Sequence, residues 1–346
     1  MNFLEFEVTK NDENRRLDKI IRKFIPELSL SELFKAIRSG IIKVDNKKRK
    51  GEYKVLSGQK IQIADFLYSK KIESAPSNQN IPPQNIQPQI PPIDEKSIIL
   101  RNDDLLFLNK KYDLAVQESE KNTLSLAGIV EFDYENVHKS EHLKSLSFKT
   151  GPLHRLDKKT TGLICFSQSL SGAQWFSKII KEHKIVKTYL AVTVGKIAAP
   201  QKWQEKIQKS SETKNGFHTV NVTGAESDLK DAKDSLTEVF PVAYGKYEGK
   251  DVTLAKFIIH TGRTHQIRAT SAFHGYPLLG DYAYRGGKIN SSRDFYLHAY
   301  SLEFIDTPPF NLPQKIICPP DSDFIEFLNK SLIKLPSELE LNYGSG

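Results

Sequence analysis

The feature that most constrains this sequence is the segment between residues 67 and 97, which is rich in proline, asparagine and glutamine. At its centre it reads SAPSNQNIPPQNIQPQIPP. This composition can neither bury much apolar surface nor form regular backbone hydrogen bonds, so it favours an extended linker. A proline-rich ligand for an adaptor domain is the alternative, but nothing else here specifies such a partner. We therefore predict two domains, residues 1–66 and residues 98–346, joined flexibly.

Length, charge and cysteine content narrow the classes of function. The chain has 346 residues, a formal net charge of +8 and a pI near 9.1. A basic surface attracts polyanions, so nucleic acid is the first candidate partner, although basic residues also serve solubility. Neither a signal peptide nor a long apolar run occurs, and two cysteines suggest neither a disulfide framework nor a zinc site. We expect a cytoplasmic protein without a membrane role.

The first domain is predicted to contain two helices and a small sheet. The sequence SLSE at 29–32 is typical of a capping box that begins the second helix, and Gly40 is expected to end it. Strand-like runs, IIKVD and KIQIAD, follow. The apolar positions expected to face inward are Leu17, Ile20, Ile21, Phe24 and Ile25 in the first helix, and Leu33, Phe34 and Ile37 in the second.

Positive charge is concentrated in this domain. Residues 1–65 carry 15 Lys and Arg against 10 Asp and Glu, a net of +5. A solvent-exposed charged face would explain the cations of the helices equally well. The four consecutive cations KKRK at 47–50 repel each other, however, and a bound polyanion would reduce that repulsion. The cations that we expect to contact RNA from the helices are Arg15, Arg16, Lys35 and Arg38.

The second domain is predicted to be α+β. The runs SIILRNDDLLFLNKK, LTEVFPVAY and DVTLAKFIIHTG have strand character, and GAQWFSKIIKEHK reads as a helix. The loop GPLHRLDKKTTGLICFS at 151–167 places Asp157 close to Arg155 and His154, with Gly162 as a turn into the next strand. From these residues alone, a surface ion pair at a turn remains open beside a catalytic loop.

Two motifs in this domain resemble those of the RluA-type pseudouridine synthases. HRLDKKTTGL is similar to that family's HRLDxxTSGL signature, and HTGRTHQIRATSAFHGYPLLGDYAY at 260–284 resembles its later TGRxHQIR and GDxxY motif. VKTYLAVTVG and FYLHAYSLEF resemble two further family segments. Residues 14–64 resemble the RNA-binding domain of the ribosomal S-four type. The resemblance implies a curved, mainly antiparallel sheet and isomerisation of uridine in structured RNA, in the branch acting on large-subunit ribosomal RNA.

The resemblance also implies a role for each matching residue. Asp157 would be the nucleophile, attacking either the sugar or the base, and Arg268 would pair with it and hold it ionised. Tyr189 would stack on the target base and serve in the final proton transfer. Because the reaction is an isomerisation, no cofactor or metal is expected. The residues expected to contact substrate at the mouth of the site are His154, Arg155, Arg263 and His265.

The match has departures, and other functions stay open. Lys110-Lys111-Tyr112-Asp113 replaces the family's Lys-Pro-x-Gly, while Thr161 and Thr270 replace Ser and His. One rival function is the same reaction on transfer RNA, and another is a non-catalytic RNA-binding assembly factor. A sugar hydrolase is more distant, because glycosidases use two carboxylates and the motif offers one. We expect a monomer.

Overall fold

The computed structural model describes residues 1–68, 90–118, 123–137, 145–214, 217–227 and 230–334. These residues form a three-stranded and a ten-stranded sheet, with helices against them. The predicted α+β class and mainly antiparallel sheet are confirmed. Most of the predicted linker, residues 69–89, lies outside the described residues. No helix within the described ranges is both long enough and apolar enough to cross a membrane.

The small N-terminal unit agrees with the helix predictions in most respects. Ser29 and Glu32 form the predicted capping box, and Gly40 ends the second helix with a φ of 80°. Phe34 is the exception: it is 37% exposed, because Leu33, Ala36 and Ile37 occupy the buried stripe. The unit's elements are β1 (Phe3–Glu7), α1 (Leu17–Phe24), α2 (Leu30–Ser39), β2 (Ile42–Val44) and β3 (Lys60–Ala64), with sheet order β1-β3-β2.

The larger unit is built on the ten-stranded sheet, in the order β4-β5-β6-β12-β7-β11-β10-β8-β9, with β13 beside β12. Its strands are β4 (Ile98–Arg101), β5 (Leu105–Lys110), β6 (Thr161–Ser167), β7 (Ile185–Val194), β8 (Gln201–Lys214), β9 (Phe217–Gly224), β10 (Lys233–Tyr247), β11 (Lys250–Ile259), β12 (Leu297–Phe304) and β13 (Lys315–Ile317). Its helices are α3 (Leu126–Val137), α4 (Leu170–Lys181), α5 (Gln266–Phe273) and α6 (Ser322–Lys330).

The centre of this sheet fixes the loop that carries Asp157. Strand β6 begins four residues after Asp157 and pairs in parallel with β12. Gly162 lies within β6 with a φ of +103°, and a Cβ there would lie 2.3 Å from the Ala299 carbonyl oxygen. Only glycine therefore fits at this position, where β6 lies against the backbone of β12. The predicted turn at Gly162 is thus part of a strand, and the loop ends on a buried, rigid element.

The two units are in contact through a buried aspartate that the sequence did not predict. Asp12 is 0% exposed, and its carboxylate accepts hydrogen bonds from the Leu146 and Ser147 amides at 3.0 and 3.1 Å and from the Ser145 hydroxyl at 2.8 Å. Leu146 itself is buried in the core of the small unit. The segment just before the Asp157 loop is therefore bound to the N-terminal unit by these hydrogen bonds, so the two units are joined by more than the covalent linker.

Replacing Asp12 by alanine is expected to lower the free energy of unfolding by about 3 kcal/mol. The substitution leaves the buried Leu146 amide without an acceptor and removes the carboxylate to which the Ser145 and Ser147 hydroxyls donate, and unsatisfied buried donors are costly. Urea denaturation would measure the loss, with exposed Glu13→Ala as the neighbouring control. Equal stability of the two variants would show that the buried contact contributes nothing.

Candidate active site

Asp157 and Arg268 open onto one cavity of about 500 Å³, together with His265. The Asp157 side chain is 20% exposed. Its Oδ2 atom lies 3.8 Å from Arg268 Nη1 and 3.8 Å from His265 Nε2. The structure thus brings a carboxylate, a guanidinium and an imidazole from distant parts of the chain to one partly buried place, where electrostatic interactions are stronger than in water.

Arg268 is held rigidly, but its closest partner is Asp281. Its Nε and Nη2 atoms donate to the two Asp281 carboxylate oxygens at 2.6 and 2.9 Å, and its guanidinium packs between the rings of Tyr284 and Phe295. Burial acts to lower the pKa of Arg268, but the hydrogen bonds and charge of Asp281 outweigh it and raise that pKa. Asp281, which belongs to the GDYAY part of the second motif, holds the guanidinium so that Nη1 faces Asp157.

His265 stands at the start of α5 in a left-handed conformation, with a φ of 54°. This conformation is uncommon outside glycine and occurs disproportionately at functional sites. Its Nδ1 atom lies 2.9 Å from the Tyr284 hydroxyl. Burial lowers the pKa of His265, and the Arg268 charge lowers it further, whereas Asp157 raises it. The ring faces Asp157 and Tyr284, and the expected contact of His265 with substrate stays a prediction.

Lys110 is bound by hydrogen bonds to the loop that carries Asp157. Its buried ammonium donates to the carbonyl oxygens of Lys111, Leu114 and Lys158 at 2.8 to 2.9 Å. Burial lowers the pKa of Lys110 to about 7, while the charge of Asp157 raises it. Three acceptors match the three N–H bonds of the ammonium, so the protonated form fits this place. Lys158 directly follows Asp157, so this contact fixes the loop despite the missing Pro and Gly.

Tyr189 lies on β7, paired with Phe257 of β11 and Ala299 of β12, and is 8% exposed. Burial raises its pKa, and the charge of Asp157 adds to the shift. The phenol therefore keeps its proton at neutral pH. Lys187, two residues earlier on the same strand, has no ion pair within the described ranges, and burial lowers its pKa. A single cation in a strand carries no distinctive pattern, so the sequence alone does not mark this lysine as a site residue.

Neither His154 nor Arg263 is among the residues that line the cavity. His154 Nε2 accepts a hydrogen bond from the Cys165 amide at 3.0 Å, and its ring stacks on Phe176. Burial lowers the pKa of His154 to about 3, with Lys187 contributing. His154 therefore supports β6 and α4, and its expected contact with substrate stays a prediction. Arg263 Nε donates to the Asp234 carbonyl, outside the cavity lining.

Arg155 is exposed and close enough for its charge to lower the pKa of His265. Its predicted contact with substrate at the mouth of the site stays a prediction. Among the described residues, no group of three or more His, Cys, Asp or Glu side chains is arranged to hold a metal ion.

The four predicted cations of the N-terminal unit divide into two pairs. Arg15 donates to Ser147 of the other unit, and Arg16 forms a bidentate ion pair with Asp18. Both side chains thus have partners within the protein, and their expected contacts with RNA stay predictions. Lys35 and Arg38 are exposed on α2 and have no ion pair within the described part of the chain. The α2 pair is therefore the better candidate for contacts with a polyanion.

Comparison with known proteins now identifies the class to which this arrangement belongs. Residues 104–273 match the family model described as RNA pseudouridylate synthase. Ribosomal large subunit pseudouridine synthase C of Rickettsia conorii is 30% identical over 297 residues, covering 83% of this chain and 88% of that protein. An uncharacterized RNA pseudouridine synthase of Aquifex aeolicus is 28% identical over 288 residues, covering 81% of this chain and 79% of that protein.

A solved structure, the human RNA pseudouridylate synthase domain containing 4, shares the fold. It has a TM-score of 0.54 and 19% sequence identity, covering 70% of this chain and 95% of that one. The chain belongs to the RNA pseudouridine synthase family. It is an RNA-modifying isomerase that converts uridine to pseudouridine, and the predicted enzyme class is confirmed.

Proposed function

We propose that this enzyme isomerises specific uridines in large-subunit ribosomal RNA, with Asp157 as nucleophile and without a cofactor. The observation that carries the proposal is the Asp157 carboxylate, which opens on a cavity and is faced by Arg268 and His265 at 3.8 Å each. The substrate class is supported by the relative from Rickettsia conorii, whose name specifies the ribosomal large subunit.

The reaction requires one bond to be exchanged for another within the same nucleotide. The bond from sugar carbon 1′ to base nitrogen 1 breaks, and a new bond forms from carbon 1′ to base carbon 5. Carbon 5 then loses its proton and nitrogen 1 gains one, so atoms and electrons balance without an oxidant or a second substrate. A carboxylate suits this sequence because it can attack an electrophilic carbon and later leave. Attack on sugar carbon 1′ and attack on base carbon 6 both remain open.

The remaining residues have supporting roles in this proposal. Arg268, fixed by Asp281, orients the carboxylate through Nη1. Tyr189 provides an aromatic surface for the base; its raised pKa favours stacking over proton abstraction, because a phenol that keeps its proton is a poor base. Exposed Arg155 fills the space that the target nucleotide leaves when it flips out of its stack.

The division into an RNA-binding domain (1–66), a linker (67–97) and a catalytic domain (98–346) is part of the proposal. The separate apolar core of the small unit supports it. The sequence resemblance to the S-four type of RNA-binding domain supports an RNA-binding role for that unit, and exposed Lys35 and Arg38 are its candidate phosphate contacts. The monomeric state stays a prediction.

The double substitution Lys35→Ala and Arg38→Ala is expected to weaken RNA binding and its salt dependence. Each lost phosphate contact should reduce the slope of log affinity against log salt by about 1. Filter binding across a salt series would measure this, with Lys330→Ala as control, since Lys330 is exposed on α6 and paired with Glu326. A double variant with the control's slope would place the RNA contacts elsewhere.

Substrate class is tested by incubating the wild-type protein with unmodified large-subunit, small-subunit and transfer RNA, and mapping pseudouridines in each. New pseudouridines at discrete positions of large-subunit RNA alone are expected. Modification of transfer RNA alone would support the rival substrate. Binding without modification of any RNA would support the assembly-factor alternative.

A further inference from the structure

We propose that Tyr284 holds His265 as the neutral tautomer protonated on Nε2, so that His265 directs an N–H bond at Asp157 and acts as a positioning residue. This inference rests on the proposed role of Asp157 and adds two residues to the machinery of the reaction. It is carried by two hydrogen bonds that link the edge of the sheet to the His265 ring, and by the 3.8 Å approach of that ring to the Asp157 carboxylate.

The chain begins at the outermost strand of the large sheet. The Val220 amide of β9 donates to the Tyr284 hydroxyl oxygen at 3.0 Å. The Tyr284 hydroxyl in turn lies 2.9 Å from His265 Nδ1. Val220, Tyr284 and Ala269 of α5 belong to one apolar cluster, and Tyr284 is 7% exposed, so the hydroxyl has a fixed position.

The direction of these hydrogen bonds determines the tautomer. A backbone amide can only donate, so the Tyr284 oxygen accepts from Val220 and its own proton remains to be donated. Burial raises the pKa of Tyr284 to about 12, so the hydroxyl keeps that proton at neutral pH. The acceptor within reach is His265 Nδ1. Nδ1 must then carry a lone pair, and the proton of the neutral ring lies on Nε2.

The other side of the ring favours the same tautomer. Nε2 faces Asp157 Oδ2 at 3.8 Å. An N–H bond directed at a carboxylate is attractive, whereas a nitrogen lone pair in that place would be repelled. Tyr284 on one side and Asp157 on the other therefore select one tautomer, in the way that a second hydrogen bond fixes the ring of a ligating or catalytic histidine.

The charged groups around the ring decide whether it also becomes a cation. Arg268 and Arg155 disfavour a second positive charge, whereas Asp157 and Asp281 favour it. Burial is the largest influence and lowers the pKa of His265. Protonation of Nδ1 would in addition remove the acceptor to which the buried Tyr284 hydroxyl donates. The neutral form is therefore the resting form at neutral pH.

His265 then orients the nucleophile without supplying a proton to it. The Nε2–H bond and Arg268 Nη1 approach the same carboxylate oxygen, Oδ2. This arrangement holds one oxygen of Asp157 and leaves the other for attack. An imidazolium at the same place could protonate the carboxylate, which would remove its nucleophilicity.

The tautomer is measurable without reference to activity. In the full-length protein labelled with ¹⁵N-histidine, two-bond ¹H–¹⁵N correlation spectra at neutral pH distinguish a protonated from an unprotonated ring nitrogen. The signal of His265, one of nine histidines, is assigned by its disappearance in His265→Gln. We expect protonated Nε2 and unprotonated Nδ1. A wild-type spectrum with protonated Nδ1, or of the imidazolium, would overturn the inference.

Tyr284→Phe tests the cause. Without the hydroxyl, the neutral ring loses the hydrogen bond that stabilises it, so the pKa of His265 should rise and the Nδ1–H tautomer should appear. The pH titration of the ring signals measures both changes. An unchanged tautomer and pKa in this variant would show that Tyr284 does not hold the ring.

Turnover supplies a second, independent readout. His265→Gln keeps a side-chain N–H donor and should retain kcat within about 10-fold, whereas His265→Leu should lose about 10- to 100-fold in kcat with little change in KM. Equal kcat for the two variants would contradict the role of the donor.

Absence of turnover in a wild-type protein with the expected tautomer would reject the proposed function but not the tautomer. Turnover with the opposite tautomer would reject this inference alone.

Discussion

Replacing Asp157 by asparagine is expected to reduce pseudouridine formation by at least about 10⁴-fold, because the amide cannot act as a nucleophile and then leave. Asparagine has nearly the shape of aspartate, so the cavity, the loop held by Lys110 and the RNA-binding unit should remain in place. RNA affinity and the free energy of unfolding are therefore expected to stay close to those of the wild type.

The measurement is single-turnover pseudouridine formation with enzyme in excess over RNA. Asp113→Asn is the matched control, since Asp113 is an exposed carboxylate that forms an exposed ion pair with Lys158. An exposed ion pair contributes little, so this control should lose less than about 5-fold. Comparable rates for the two variants would remove Asp157 from the mechanism.

Arg268→Met is expected to cost both stability and rate, and the two losses have separate causes. Without the guanidinium, the buried Asp281 carboxylate loses its bidentate partner, which should lower the free energy of unfolding by about 3–5 kcal/mol. Turnover should fall by about 10²- to 10³-fold, because Nη1 no longer orients Asp157. Urea denaturation and single-turnover kinetics measure the two effects.

A second substitution separates these causes. Adding Asp281→Leu to Arg268→Met removes the uncompensated charge, so most of the stability should return, to within about 2 kcal/mol of the wild type. The rate should not return, because the contact to Asp157 is still absent. Recovery of the rate together with stability would mean that Arg268 acts only by supporting the fold.

Local patterns in the sequence predicted the elements that depend on neighbouring residues. The face formed by Leu17, Ile20 and Ile21, the capping box of Ser29 and the end of α2 at Gly40 are all present in the structure. These features follow from helix periodicity and backbone hydrogen bonding within a few residues. Periodicity predicts that a helix has an apolar face more reliably than it predicts which residues at the edge of that face are buried. The exposed ring of Phe34 is an example.

Contacts between distant residues could not be predicted in this way. The ion pair of Arg268 with Asp281 and the hydrogen bonds of Asp12 with residues 145–147 depend on how the sheet folds. Lys110 could be noted as part of an altered motif, but its bond to the Lys158 carbonyl spans 48 residues. The motif named Asp157 and Arg268 as partners; the structure adds the residues that hold each of them in place.

The most direct test of the central claim is tritium release from large-subunit ribosomal RNA labelled at uridine carbon 5, since isomerisation removes the hydrogen at that atom. The account predicts release by the wild-type protein, in an amount equal to the pseudouridine formed, and no release above background by Asp157→Asn. Release by Asp157→Asn at the wild-type rate, or none by a wild-type protein that still binds the RNA, would contradict it.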